Sequence, residues 1–304
     1  MKEKVIIIAG PTASGKSSLA INLAKKVNGE IISCDSMQIY KGMDIGTAKV
    51  GPEERREIDH HMIDIISPGD TYSVQDFQKS AKSLIKDIHK RGKLPILAGG
   101  TGLYINSILY DYDFSNVEPK PLFRAQMEEK YSQDPQSLLD KLINIDSKLY
   151  SRLTIKDKKK IIRALEVYEF SKKTISVDSK ENDDYDYYLF VINDDRQDLY
   201  NRINQRVDIM LHQGLLKEVK NLLDQGLTKD HQSMKAIGYR EVIPYLQGEI
   251  DFDSMVESLK QDTRRYAKRQ LTWFRKNKQA IWLDRSKLDS EQMIKVILGE
   301  INEL

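Results

Sequence analysis

Lys16 and Ser17 close the run Gly10-Pro11-Thr12-Ala13-Ser14-Gly15-Lys16-Ser17, a complete G-x-x-x-x-G-K-[ST] pattern. Residues of these types at this spacing bind phosphate. The glycines let backbone N–H groups converge on phosphate oxygens, and a following helix turns its positive end toward them. Lys16 supplies charge for a terminal phosphate, and Ser17 a hydroxyl for a magnesium ion. Asp35 is the next candidate, a carboxylate just past a second apolar run, followed by Ser36, Met37 and Gln38. From position alone it is either a chemical group beside the phosphates or a turn, cap or magnesium-ligand aspartate. The polar loop continuing to Lys49 is able to read the edge of a nucleobase.

Such residues need a scaffold that gathers them. Residues 5–9, 30–33 and 94–98 are near-continuous apolar runs that end in the phosphate loop, in Cys34-Asp35-Ser36 and in Gly99-Gly100-Thr101-Gly102. Runs of this kind suit buried parallel strands. Helical stripes lie between them, one through Leu19, Leu23 and Val27, another through Val74, Phe77, Ala81 and Ile85. Ser73-Val74-Gln75-Asp76 has the form of a capping box opening the second. Alternating strand and helix predicts a doubly wound α/β sheet of the P-loop nucleoside triphosphate hydrolase type, with ligands at the carboxyl ends of its strands. Strand signals vanish over residues 114–186, read as a helical insertion with helices at 122–131, 136–142 and 158–172 and an acidic connector at 178–186. Residues 1–113 and 187–304 then form the core, with strands at 187–192 and 280–283 and helices at 197–213, 215–225 and 254–276.

Composition excludes some classes and leaves others open. Lys plus Arg total 48 against 46 acids, so any affinity for nucleic acid must come from local clustering. One cysteine, Cys34, rules out an internal disulfide and a multi-cysteine zinc site. His60-His61 are read as structural, since tetrahedral zinc wants four well-spaced ligands. No stretch approaches the roughly 20 apolar residues that cross a bilayer. A soluble, cytoplasmic monomer is expected. The cluster within residues 260–278, including Arg264, Arg265, Lys268 and Arg269, fits an RNA surface, with Tyr266, Trp273 and Phe274 as packing residues. Arg202 and Arg206 lie four apart on one predicted helix and point the same way. Their ordinary reading is a solvated, salt-bridged face.

Taken in order, GPTASGKS, CDSMQIYKGMDIGTAK, GGTGLY, RINQRVDIMLHQGL, AIGYRE and TRRYAKRQLTWFR resemble the successive signatures of the bacterial tRNA dimethylallyltransferases. The resemblance runs through nearly the whole chain. It implies transfer of a dimethylallyl group from dimethylallyl diphosphate to N6 of the adenine at tRNA position 37, with Mg2+, on an anticodon stem-loop whose target base is splayed out. In that reading Asp35 accepts the amine proton, while residues 10–17 cradle a departing diphosphate and hydrolyse no nucleotide. Arg202 or Arg206 clamps the same group, and Thr101 lies near the channel that admits the adenine. Arg124 and the segment Lys159-Lys160-Ile161-Ile162-Arg163 contact the tRNA. Thr154-Ile155-Lys156-Asp157 and Lys159-Lys160-Ile161 depart from the family's His-Pro-Asn-Asp and Gln-Arg-Ile, whereas Arg163-Ala164-Leu165-Glu166 keeps its pattern. A P-loop kinase and a nucleotide-gated RNA-binding protein are the competing readings. The first lacks a clear second carboxylate or lid arginine cluster, and the second has no use for Asp35.

Overall fold

Val5 through Ala9 lie in strand β1 (Glu3–Ala9) and are fully shielded from solvent, as a strand covered on both faces must be. The computed structural model describes residues 2–110, 112, 117–175 and 181–302. Among them, β1, β2 (Gly29–Ser33), β3 (His60–His61), β4 (Leu94–Gly99), β5 (Tyr185–Asn193) and β6 (Ile281–Asp284) form one sheet ordered β3-β2-β4-β1-β5-β6. Every pairing is parallel. Ala9 pairs with Gly99 on one side and Val191 on the other, and Ser33 with Ala98. The carboxyl ends of β1, β2, β4 and β5 are therefore level, and the turns that leave them share one edge. Ile6 and Ile8 pack with Leu19, Leu23 and Phe190 in the core on one face of the sheet.

The phosphate loop runs into a helix at Lys16–Val27, and Ser73 caps the helix Val74–Lys90 through the reciprocal bonds of a capping box with Asp76. Some elements went unread in the sequence. β3 is a two-residue edge strand. Helices also form at Pro52–Glu57, Gly102–Leu109, Ser147–Tyr150, Tyr239–Leu246 and Ser290–Asn302. Of the expected acidic connector, residues 178–180 lie outside the described residues, and Tyr185 and Asp186 belong to β5, where they pair with Glu3 and Lys4.

The chain forms two compact units, residues 1–109 with 182–304 and residues 110–181. In the second, helices Pro121–Gln133 and Pro135–Ile145 each open on a proline, whose missing N–H costs nothing in a first turn. With Lys158–Ser171 they bury Leu138, Leu142, Ile161, Ile162 and Leu165. Glu166 is buried in this unit and accepts Arg124 Nε and Nη2 at 2.8 Å each, Lys120 N–H at 2.8 Å and Arg163 Nη1 at 2.6 Å. Burial alone would raise its carboxyl, but the arginines and the amide hold it at about 2. Its charge therefore stabilises fully above the ordinary glutamate value of 4.5, and that contribution is lost as pH falls toward 2. Replacing Glu166 with alanine removes the acceptor shared by two partly exposed guanidiniums and the Lys120 N–H and should cost about 1–3 kcal/mol in denaturant unfolding at neutral pH. An unchanged midpoint would contradict the anchor role.

Candidate active site

The level strand ends meet at a cavity of about 440 Å³. Thr12, Ala13, Gly15, Lys16 and Ser17 line it from the phosphate loop, residues 35–38 and 46–50 from the segments after β2, and Arg206, Tyr266 and Gln270 from later helices. Asp35 and Lys16, far apart in sequence, thus share one chamber. Lys16 Nζ curls back to donate to Pro11 O at 3.3 Å. Burial and then the neighbouring Arg206 lower its ammonium to about 8, with Asp35 pulling the other way. Burial likewise lowers the Arg206 guanidinium, and Asp35 again opposes the shift. Lys16, Arg206 and Asp35 therefore face a common space that an anion would enter. Ser14 Oγ, buried in the loop, meets no hydrogen-bond partner among the described residues.

Asp35 Oδ1 accepts the Met37 N–H at 2.9 Å, an Asx turn that fixes the side chain where β2 ends. Thr101 joins this turn to the glycine turn after β4. Its Oγ1 accepts the Ser36 N–H at 3.1 Å, and its own N–H donates to Cys34 O at 3.1 Å. Burial, and then the Asp35 charge, push the Tyr266 phenol up to about 12, while hydrogen bonds from Thr101 and Gln270 hold it down. Of the loop read as a base reader, residues 35–38 and 46–49 line the cavity. The Gln38 amide accepts from Ser33 Oγ at 3.1 Å and donates to Thr47 O and Ala48 O.

Several residues shape the cavity through contacts that no local pattern announces. Gln270 Oε1 accepts the Thr12 N–H at 2.9 Å, and its Nε2 donates to Gly100 O at 2.9 Å, so one amide ties two turns together. A side chain at Gly100 would drive into that amide, which is why the turn needs glycine there. The Glu218 carboxylate accepts the N–H groups of Asp44, Ile45 and Gly46 at 2.8–3.0 Å and the Tyr239 hydroxyl at 2.6 Å. Lys49, its side chain only 2% exposed, bridges Asp44 and Asp64 and so pins the same loop. An isolated acid in an amphipathic helix gives no hint that it will collect three amides.

Arg202 and Arg206 part company although they share one helix (Arg196–His212). Arg206 lines the cavity. Arg202 Nε donates to Ala13 O at 3.2 Å, and its Nη2 bonds Asp194. In the second unit Lys159 and Lys160 are exposed, the latter held by Asp157 at 2.8 Å. Ile161 and Ile162 were expected among tRNA-contacting residues. They are instead core residues of that unit, because helical periodicity turns them inward from the lysines that precede them. Arg163 donates to Glu166 and to Val117 O, and Arg124 to Glu166. On the long helix Phe252–Phe274, Arg265, Lys268 and Arg269 are exposed, whereas Phe274 is buried and Tyr266 turns into the cavity. His61 Nε2 lies 2.7 Å from buried Glu30.

A sequence model described as IPP transferase matches residues 38–277. A tRNA dimethylallyltransferase of Carboxydothermus hydrogenoformans is 48% identical over 305 residues, spanning 99% of this chain and 98% of its own length. One from Thermoanaerobacter sp. is 50% identical over 282 residues, 90% of each chain. The crystal structure of a tRNA delta(2)-isopentenylpyrophosphate transferase from Staphylococcus epidermidis matches with 44% identity and a TM-score of 0.75 over the full length of both chains. A eukaryotic dimethylallyltransferase, captured in crystallographic snapshots acting on tRNA, matches at 31% identity and a TM-score of 0.85 over 99% of this chain and 80% of its own.

Proposed function

The chain belongs to the IPP transferase family, and from that premise we propose that it prenylates tRNA, moving a dimethylallyl group from dimethylallyl diphosphate to N6 of the adenine at position 37 and releasing diphosphate. The observation that carries this reading is the shared chamber of Asp35, Lys16 and Arg206. An exocyclic adenine amine is a weak nucleophile because its lone pair is delocalised into the ring. Asp35 orients that amine and takes its proton as the N–C bond forms and the allylic C–O bond breaks. Gly15 N–H, Lys16 and Arg206 receive the charge that grows on the leaving diphosphate. Atoms balance without water or nucleotide: the prenyl cation equivalent goes to nitrogen, the proton to Asp35, and diphosphate leaves.

The donors present fit magnesium. Ser17 at the cavity wall would hold it with the substrate's own phosphate oxygens, since this ion keeps several waters and needs no protein cage. Among the described residues no cluster of three His, Cys, Asp or Glu side chains offers such a cage. When bound, magnesium supplies further neutralisation at the leaving group. The target base must leave the anticodon stack to enter the chamber, at a cost of a few kcal/mol (roughly). Thr101 is assigned to its entrance. Arg124, Lys159, Lys160 and Arg163 are assigned to the anticodon stem-loop, with the second unit as the tRNA-gripping domain. A cytoplasmic monomer completes the reading. Among the described residues no helix is long and apolar enough to cross a membrane.

Incubation of the protein with unmodified tRNA, dimethylallyl diphosphate and magnesium, without ATP, should yield N6-dimethylallyl adenosine on mass analysis of the nucleosides. Its absence, with donor and tRNA both bound, would refute the assignment. The pH profile provides a second check. Only the ammonium form of Lys16 attracts the donor, and kcat/KM reports the free enzyme. We expect kcat/KM for dimethylallyl diphosphate to be level up to a midpoint of about 8 and to fall above it. A flat profile to pH 10 would remove Lys16 charge from donor capture.

A further inference from the structure

Asp194 follows the last residue of β5 and Arg285 the last residue of β6. Asn193 pairs with Asp284 in the sheet, so the two charged residues stand side by side at its carboxyl edge. The Asp194 side chain is only 3% exposed; it bonds Arg202 Nη2 and lies 3.8 Å from Arg285 Nε. Neither guanidinium stops at the carboxylate. Arg202 Nε reaches Ala13 O at 3.2 Å, and Arg285 Nη1 reaches Ser14 O at 2.8 Å. None of these three residues lines the cavity, although Ala13 and Gly15 do. They hold the phosphate loop from behind.

What such a hold does follows from peptide geometry. A trans peptide is planar, so its C=O and N–H point in opposite directions. Fixing Ser14 O outward on Arg285 aims the Gly15 N–H inward at the cavity. Fixing Ala13 O on Arg202 turns the Ser14 N–H toward Pro11 O, 3.3 Å away, and closes the turn. The loop needs this support, because Ala13 at φ 62° and Gly15 at φ 85° are both left-handed, a region that alanine seldom occupies. Arg285 also packs so closely behind Gly15 that an added Cβ would lie 2.6 Å from its Nη1. Guanidiniums on the carbonyls further polarise the peptides, which strengthens their N–H groups as anion donors.

We propose that Asp194, Arg202 and Arg285 form a brace that sets the anion-binding conformation of the phosphate loop, acting on the loop backbone and not on the ligand. They are positioning residues, and the proposal rests on the reading of the loop as a diphosphate cradle. It divides the labour of the two helix arginines: Arg206 meets the anion, and Arg202 shapes what receives it.

The test turns on the sign of one substitution. Were Arg202 and Arg285 ligands of the diphosphate, Asp194→Asn would free their charge and tighten binding. If they brace the loop, the same change loosens it. We expect Asp194→Asn, Arg202→Lys and Arg285→Ala each to raise the Kd of inorganic diphosphate, measured calorimetrically with magnesium, by at least about tenfold. Lysine fails at position 202 because a single ammonium cannot serve Asp194 and Ala13 O in a fork. KM for tRNA should stay unchanged, and hydrogen exchange should quicken in the peptide spanning residues 10–17. Exposed Arg285 keeps the test open if the Asp194 variant does not fold. Equal or tighter diphosphate binding in folded Asp194→Asn or Arg285→Ala would overturn the brace. Failure of the parent protein to bind diphosphate would instead overturn the cradle reading beneath it.

Discussion

Replacing Asp35 with alanine should slow single-turnover prenyl transfer by about 10²–10⁴-fold, the usual worth of a positioned proton acceptor, while tRNA affinity stays nearly intact. The asymmetry follows from where the carboxylate sits. One oxygen is committed to the Met37 N–H, and the group as a whole faces Lys16 and Arg206 inside the chamber. On the proposed reading it meets the reacting base and little of the remaining tRNA. Asp35→Asn sharpens the point. Asparagine can still accept the Met37 N–H and keep the turn, but it cannot take a proton. The two variants should be about equally slow. An asparagine enzyme that turns over at the parent rate would reduce Asp35 to a turn former.

Loss of Lys16 should be about as damaging, by another route. Removing one donor from a preorganised charge-stabilising site typically costs about 10²–10³-fold. On the proposed reading the lost donor also captures the ground-state diphosphate. Lys16→Ala should therefore raise the Kd for inorganic diphosphate, lower kcat for prenyl transfer and leave tRNA binding alone. The same variant should abolish the alkaline limb expected near pH 8, since the titrating group is gone. A variant that bound diphosphate as the parent does would disconnect the phosphate loop from the donor. One that kept the alkaline limb would assign the titration to a different group.

How far the sequence could be read differs between scaffold and site, for physical reasons. Long apolar runs such as residues 5–9 have one stable destination, the middle of a parallel sheet, and they were legible. The phosphate loop left a kinase and a gated RNA-binding protein standing. The ordered run of later motifs, with Asp35 and the want of a clear lid arginine cluster, favours a transferase over both. β3 escaped notice because two histidines on a sheet edge carry no periodic signal. The helix Ser290–Asn302 could have been found from Met293, Ile294, Ile297 and Ile301, which lie on one helical face and are buried. Asp194 and Arg285 are harder. Each is a single polar residue whose partners are fixed by the arrival of distant strands and helices. The only local hint was that Asp194 and Arg285 directly follow parallel strands, at the edge where such sheets gather their ligands. Ile161 and Ile162 show the converse: a contiguous segment carried over from a family resemblance spans both faces of a helix, and these two residues turn into the core.

The Thr12–Gln270 and Ser14–Arg285 bonds join positions 258 and 271 apart along the chain. Contacts of such separation form late, after much chain entropy has been given up. A ribosome that has released two-thirds of this polypeptide has already exposed the whole glycine-rich signature, yet neither Gln270 nor Arg285, which help to support it. On the proposed reading, the loop gains its full set of supports, and with them its full affinity for diphosphate, only near the end of synthesis.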